Sequence, residues 1–290
     1  MKLNKSILIY GLLAGTTGLS LFYGYQSQLF ATVNIIKSID SFSQASEVLN
    51  SATSNSLVLF DVREVLYVPS SAVFHVKVIE ANTEWLKETQ KAIFKDAKKH
   101  EGHYWSIWKQ QESPMLVEPS IVQAIADLQN RGVKVMVLTS LMSGSDFTIS
   151  SLPEWRYATL KKLGLDFTKA SFPDMVFNEL PPKKEQHPML YRGILIASGS
   201  PKGQVLGAFL DRTALKPDKV IFFDDSMERV ESVAQEMKKR RIPFYGFHYN
   251  GARFVPGELD KEVASLQMKH LVEHEEWLSE DEAKALLKAN

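Results

Sequence analysis

Five apolar runs punctuate the chain between residues 57 and 249: "LVLF", "VKVMVLTS", "RGILIAS", "KVIFFDD" and "IPFYGFHY". Each is short, rich in β-branched or aromatic residues, and apolar almost without a break. That pattern fits a strand buried on both faces better than a half-solvated one. The segments between them carry helical spacing. Pro119 and Ser120 open one helix through Asn130, with apolar Ile121, Val122, Ile125, Ala126 and Leu128, and Gly132 ends it. "LPEWRYATLKKLGL", "PKGQVLGAFLDRT" and "SMERVESVAQEMKKRR" read as three more. Strands alternating with helices predict an α/β fold, a parallel sheet in a Rossmann-like three-layer α/β/α arrangement.

The pattern is different outside these runs. Residues 32–56 are polar and Ser-rich, with one amphipathic segment, and predict a linker and a first helix. The core is read as 57–255, interrupted by two long stretches, about 67–118 and 141–192. The first holds a charged, Trp-rich helical segment, residues 82–112. The tail, 256–290, reads as two helices, the second announced by Ser279 with Glu282 three residues on, a capping-box spacing. Its alternating charges predict a solvated face.

The first 31 residues stand apart. "MKLNKS" carries two lysines, and the 19 residues from Ile7 to Tyr25 carry no charge. A basic flank before such a run predicts an export signal, or an uncleaved anchor, since about 20 apolar residues span a bilayer. With Lys2 and Lys5 kept inside, the remainder lies outside the cytoplasm, exported or tethered to the membrane. This segment is then the one that meets membrane or export machinery.

Charge and cysteine content narrow the chemistry. Lys plus Arg equals Asp plus Glu, at 34 each, so no overall field draws the chain to nucleic acid. The absence of cysteine excludes disulfides, thiolate catalysis and Cys-ligated zinc.

In parallel sheets ligands sit beyond the carboxyl ends of the strands. At those ends stand Asp61, Thr139 with Ser140, Lys202 just after the third strand, and Asp224 with Asp225. A single Asp there is commonly a turn cap. Three carboxylates at one rim repel one another unless a cation compensates, and oxygen donors without cysteine suit magnesium. Thr139 and Ser140 are read equally as turn chemistry or as a phosphate cradle. Lys202 at a helix start opposes the helix dipole, which an anionic neighbour or ligand would reverse.

The order of these groups, in "FDVRE", "VLTS", "SPKG" and "FFDDS", resembles the haloacid dehalogenase (HAD) superfamily over roughly residues 55–250. The tail and the "FFDDSMERVESV" segment are similar to an uncharacterised branch of it from bacteria that live within host cells. The resemblance implies a HAD-like sheet with helical caps built from the two long insertions. It implies Asp61 as nucleophile forming an aspartyl-phosphate, and Thr139, Ser140 and Lys202 as phosphate-binding groups. Asp61, the backbone carbonyl of Arg63, Asp224 and Asp225 would be the Mg2+ ligands.

The match breaks at Arg63, where the family's phosphatases carry an acidic general acid/base. A guanidinium does not shuttle protons at neutral pH. Val65 also replaces a usual Thr. Three readings stay open: Arg63 grips a substrate anion; Arg63 pairs with Asp224 or Asp225 and silences the site; or Glu64 takes over as base, which strand alternation disfavours. The expected function is an exported phosphatase or phosphotransferase of altered activity on a small phosphorylated substrate. Its alternative is an inactive binding protein for a host or envelope partner. Trp85, Trp105, Trp108 and Trp155 are expected to build a cap core, or else to line a substrate pocket. His100 and His103 share a helical face, and His187 and His248 have no evident partner.

Overall fold

The computed structural model describes residues 33–289. The leader expected in residues 1–31 lies outside the described residues. Among those described, no helix is long and apolar enough to cross a membrane.

The described residues form ten strands: β1 (Asn34–Ile39), β2 (Leu57–Phe60), β3 (Tyr67–Pro69), β4 (Pro114–Leu116), β5 (Lys134–Thr139), β6 (Met175–Val176), β7 (Met189–Tyr191), β8 (Ile194–Ile196), β9 (Val220–Asp224) and β10 (Phe244–Tyr249). The α-helices are α1 (Ser46–Asn50), α2 (Val76–Ala81), α3 (Thr83–Phe94), α4 (Glu101–Gln111), α5 (Ile121–Asn130), α6 (Leu152–Lys162), α7 (Lys202–Thr213), α8 (Met227–Arg240), α9 (Lys261–His274) and α10 (Glu280–Ala289). Eight strands form one sheet in the order β1-β10-β9-β2-β5-β8-β7-β6. The first six run parallel, and β7 and β6 continue the sheet antiparallel.

All five apolar runs contain strands of this sheet. Their side chains alternate between two cores. Val58, Phe60, Val135, Val137, Ile221 and Phe223 face one side, under α5, α6 and the Phe42–Asn50 segment. Leu57, Leu59, Met136, Leu138, Val220 and Phe222 face the other, under α7 and α8. Helices therefore cover both faces, which is why these strands are apolar at every position rather than every second one. Phe60, Phe223 and Phe247 stack in succession across neighbouring strands, with ring centroids 4.9 and 4.8 Å apart.

Three expectations need correction. Residues 34–39, assigned to a linker, form edge strand β1, paired in parallel with β10. Its polar, exposed pattern is that of an edge, which periodicity alone does not separate from a linker. Residues 141–192 do not stand over the sheet as a helical cap. They extend it through β6 and β7, and α6 packs Leu160 into the main core. The tail is not mainly a solvated face. α9 buries Val263, Ala264, Met268 and Leu271, and Trp277 joins Phe74, Tyr104 and Trp108 in one cluster with the 67–118 lobe. The Ser279–Glu282 capping box is present in both directions, at 2.8 and 3.3 Å.

The chain leaves β2 toward β5 and β8, then returns to β9 and β10 on the other side of β2. That reversal opens a crevice beyond the carboxyl ends of β2 and β9, the usual ligand position in such a sheet.

Candidate active site

β2 and β9 pair with Phe60 opposite Phe223, so each strand delivers its next residue, Asp61 and Asp224, to the same rim. The Asp61 amide donates to the Phe223 carbonyl at 2.8 Å, which fixes the first carboxylate where the strand ends. One oxygen from each of Asp61, Asp224 and Asp225 lies within 4.8 Å of the others. Asp61 and Asp224 are buried, and Asp225 is half-buried.

Lys202 is the first residue of α7 and is 2% exposed. Its ammonium donates to Asp61 Oδ1 and Asp224 Oδ2, both at 2.6 Å. This resolves the helix-start penalty seen in the sequence: two buried carboxylates outweigh an unfavourable dipole. α7 reaches this position because Gly203 lets it press against α8. A Cβ there would lie 2.2 Å from the Ser232 carbonyl. Asp224 Oδ1 also accepts from the Ser226 amide at 2.9 Å.

Arg229 is a site residue that the sequence reading missed. It stands on the first turn of α8, 3.6 Å from Asp224 and 3.5 Å from Asp225. The four-residue Asp225–Arg229 spacing on a helix was its only sequence signal. His248 gains a partner too. Its Nε2 lies 3.1 Å from the Asp225 carbonyl and its Nδ1 3.1 Å from the Ser38 hydroxyl, so β10 and β1 together steady the acidic turn.

Three carboxylates face two cations here. Burial pushes the Asp224 carboxyl up to about 7 against the pull of Lys202, with the Asp61 charge adding to the rise. Burial also raises Asp225, again with Asp61 adding to it and Arg229 opposing.

Thr139 closes β5 and is buried, while Ser140 is exposed. Both line a pocket of about 260 Å3 with Asp61, Glu64, Asp225 and Arg229. All seven residues singled out from the sequence thus lie in this rim or directly behind it, Lys202 and Asp224 through their bonds to Asp61 and each other.

Among the described residues, Arg63 does not pair with Asp61, Asp224 or Asp225. Its nearest carboxylate is Glu64, at 3.7 Å, and its guanidinium sits 5.9 Å from the centre of the Trp108 ring, half exposed to the crevice. The reading in which Arg63 neutralises Asp224 or Asp225 is corrected, because Arg229 takes that place. The objection to Glu64 also falls. β2 ends at Phe60, and the chain turns through Val62, whose carbonyl accepts from Leu66 and Tyr67. Glu64 takes φ 65°, a left-handed conformation uncommon for a side-chain-bearing residue, and both it and Arg63 reach the pocket. Burial raises the Glu64 carboxyl, opposed by Arg63 and aided by Asp61, and its Oε2 has no hydrogen-bond partner among the described residues.

A larger cavity of about 670 Å3 adjoins the pocket, the two sharing Arg63, Ser140, Leu141 and Arg156. Trp108 and Trp155 line it. Trp105 and Trp108 also pack in the lobe core, so the tryptophans divide between the two expected roles. His100 caps α4 by accepting from the Gly102 amide at 3.0 Å, and His187 lies 3.0 Å from the Leu180 carbonyl. His103 lies 3.4 Å from Glu275.

A family model described as "Protein of unknown function (DUF2608)" matches residues 38–284. A protein of Rickettsia prowazekii (strain Madrid E), named as uncharacterized, is 26% identical over 267 residues, covering 91% of this chain and 93% of that protein. A protein of Chlamydia trachomatis named "Putative outer membrane protein" is 25% identical over 269 residues, covering 90% of each. The crystal structure of a HAD family hydrolase from Salmonella enterica subsp. enterica serovar Typhi aligns over 68% of each chain, with 11% identity and a TM-score of 0.31. A likeness that slight does not fix the fold.

Proposed function

The chain belongs to the family described as protein of unknown function (DUF2608), and from that premise we propose that its acidic rim is a HAD-like, Mg2+-dependent phosphoryl-transfer site for a small phosphorylated substrate. One observation carries this reading: Lys202 and Asp61, 141 residues apart in sequence, meet at 2.6 Å beside Asp224 and Asp225. The same four groups stand in the motif order that the sequence suggested.

The donors fit the metal. They are carboxylate oxygens without sulfur or imidazole, close enough to share one hard cation. Asp61, Asp224 and Asp225, with the Arg63 carbonyl, would hold Mg2+, which when bound supplies charge neutralisation for the incoming phosphate. Lys202 bonds Asp61 through Oδ1, which leaves Oδ2 to attack phosphorus. A phosphorus–oxygen bond forms to Asp61 as the bond to the leaving oxygen breaks. Thr139 at the pocket wall and the Lys202 ammonium stabilise the charge that builds on the phosphoryl oxygens. A water then attacks the aspartyl-phosphate, releasing inorganic phosphate and restoring the Asp61 carboxylate.

Arg63 donates no proton to the leaving group, so the departing oxygen takes one from water unless the raised Glu64 carboxyl beside it supplies it. General acid catalysis is worth about 10²- to 10⁴-fold. Esters with weakly basic leaving groups lose least without it. The expected outcome is Mg2+-dependent hydrolysis of p-nitrophenyl phosphate, little hydrolysis of alkyl phosphates, and background rates in Asp61→Asn. Equal rates in wild type and Asp61→Asn would end this reading.

A second reading is favoured by the two cations already on the rim. Lys202 and Arg229 partly neutralise the three acids, as an inactive protein that binds a host or envelope partner would allow. Melting curves with and without Mg2+ separate the two. A rise in Tm that Asp224→Asn removes supports the catalytic reading, and no response supports the silent one. The chlamydial relative's name and the apolar leader support an exported or envelope-tethered protein. Mass spectrometry of the mature N-terminus tests that.

A further inference from the structure

The phosphoryl-transfer reading leaves one buried charge unused. Arg156 lies on α6 and is 6% exposed. Its guanidinium lies 4.6 Å from the centre of the Trp155 ring and 5.3 Å from that of Tyr67, and it donates to the Tyr67 hydroxyl. Its Nε is buried with no partner, and no carboxylate comes within ion-pair distance among the described residues. A buried guanidinium without a counter-ion is unfavourable, and fixed positive charges left so are those that a ligand anion completes.

Its position says where that anion sits. Arg156 and Arg63 both line the pocket at Asp61 and the larger cavity beyond it. Glu64, in the smaller pocket, has its ion-pair contact with Arg63, at 3.7 Å, and the acids of the larger cavity are engaged elsewhere. Glu112 accepts from the amides and hydroxyls of Ser70 and Ser71, and Asp146 pairs with Lys109 at 2.5 Å. Lys162 and Lys184 add further positive charge to the cavity wall. An aromatic surface stands between: Trp108, and Trp155, whose indole donates to the Lys109 carbonyl at 3.1 Å.

We propose that the ligand of this cavity carries two anionic groups: the phosphate presented to Asp61, and a second phosphate or carboxylate held by the forked donors of Arg156 with Arg63 beside it. The part joining them lies against Trp108 and Trp155. This rests on the phosphoryl-transfer reading for which end reacts, but the second-anion site is tested by binding alone.

Isothermal titration calorimetry on Asp61→Asn protein with Mg2+ compares propyl phosphate, propane-1,3-diol bisphosphate and 3-phosphonooxypropanoate. At least one two-anion probe is expected to bind about tenfold or more tightly than propyl phosphate. Which of them does so identifies the second group as phosphate or carboxylate. Adding Arg156→Met is expected to erase that gain, measured relative to propyl phosphate in the same variant, and Arg156→Lys to reduce it. Equal affinity for all three probes, no binding of any, or a gain that survives in Arg156→Met would overturn the proposal. If Arg156→Met does not fold, Arg156→Lys decides: an undiminished gain overturns it and a reduced gain supports it. Absence of turnover by the wild-type protein in the ester assay, with the binding gain intact, would count against the catalytic reading and not against this site.

Discussion

Among single residues, Asp224 carries a large electrostatic cost of burial. It is fully buried, and its carboxyl titrates near 7 in the folded protein. In the unfolded chain an aspartate titrates near about 4. Between these values the metal-free folded protein keeps a proton that the unfolded chain has lost. The Asp224 contribution to stability therefore falls as pH rises from about 4 to about 7, then levels off. Urea unfolding in EDTA across that range checks the sign, and Asp224→Asn is expected to flatten this part of the curve. Arg63 teaches a related lesson at the same scale. Its identity departs from the acidic residue that the HAD resemblance implies, but its direction toward Trp108, away from the acidic pair, was not legible in the residue itself.

Among elements, the crossing of α7 and α8 places the Lys202 ammonium. Gly203 allows the approach, and its amide donates to the Ser232 hydroxyl at 3.1 Å. Gly203→Ala forces a methyl against the Ser232 backbone, so α7 must retreat and draw Lys202 from its two carboxylates. The expected loss is about 1–3 kcal/mol in chemical denaturation. If the rim holds Mg2+ as proposed, the Mg2+-induced rise in Tm should grow, because two of the acids lose their ammonium partner, which a merely weakened helix far from the rim would not give. β2, β5 and β9 were readable as strands because burial on both faces makes them apolar throughout. β1 was not, since an edge strand exposed on its outer side resembles a polar linker.

For the whole molecule, the tail and the 67–118 lobe share one apolar cluster, and Trp108 in that cluster also faces the cavity. Leu271 on α9 is fully buried there. Leu271→Ala is expected to lower stability by about 2–5 kcal/mol in urea unfolding. A loss below about 1 kcal/mol, the scale of an exposed change, would mean that the tail does not dock on the lobe. The sequence by itself determined the strand runs, the helices between them and the rim groups Asp61, Thr139, Lys202, Asp224 and Asp225. Each is written locally, as a continuous apolar segment with the polar residue that ends it or, for Lys202, as the first residue of the helix that follows one. Only the tertiary structure decided that Arg229, not Arg63, meets the acidic pair, that Glu64 turns into the pocket, and that Arg156 is buried without a counter-ion among the described residues. Those are relations between segments brought together by packing. No residue's local pattern encodes which distant charge, or which missing one, will face it across a cavity.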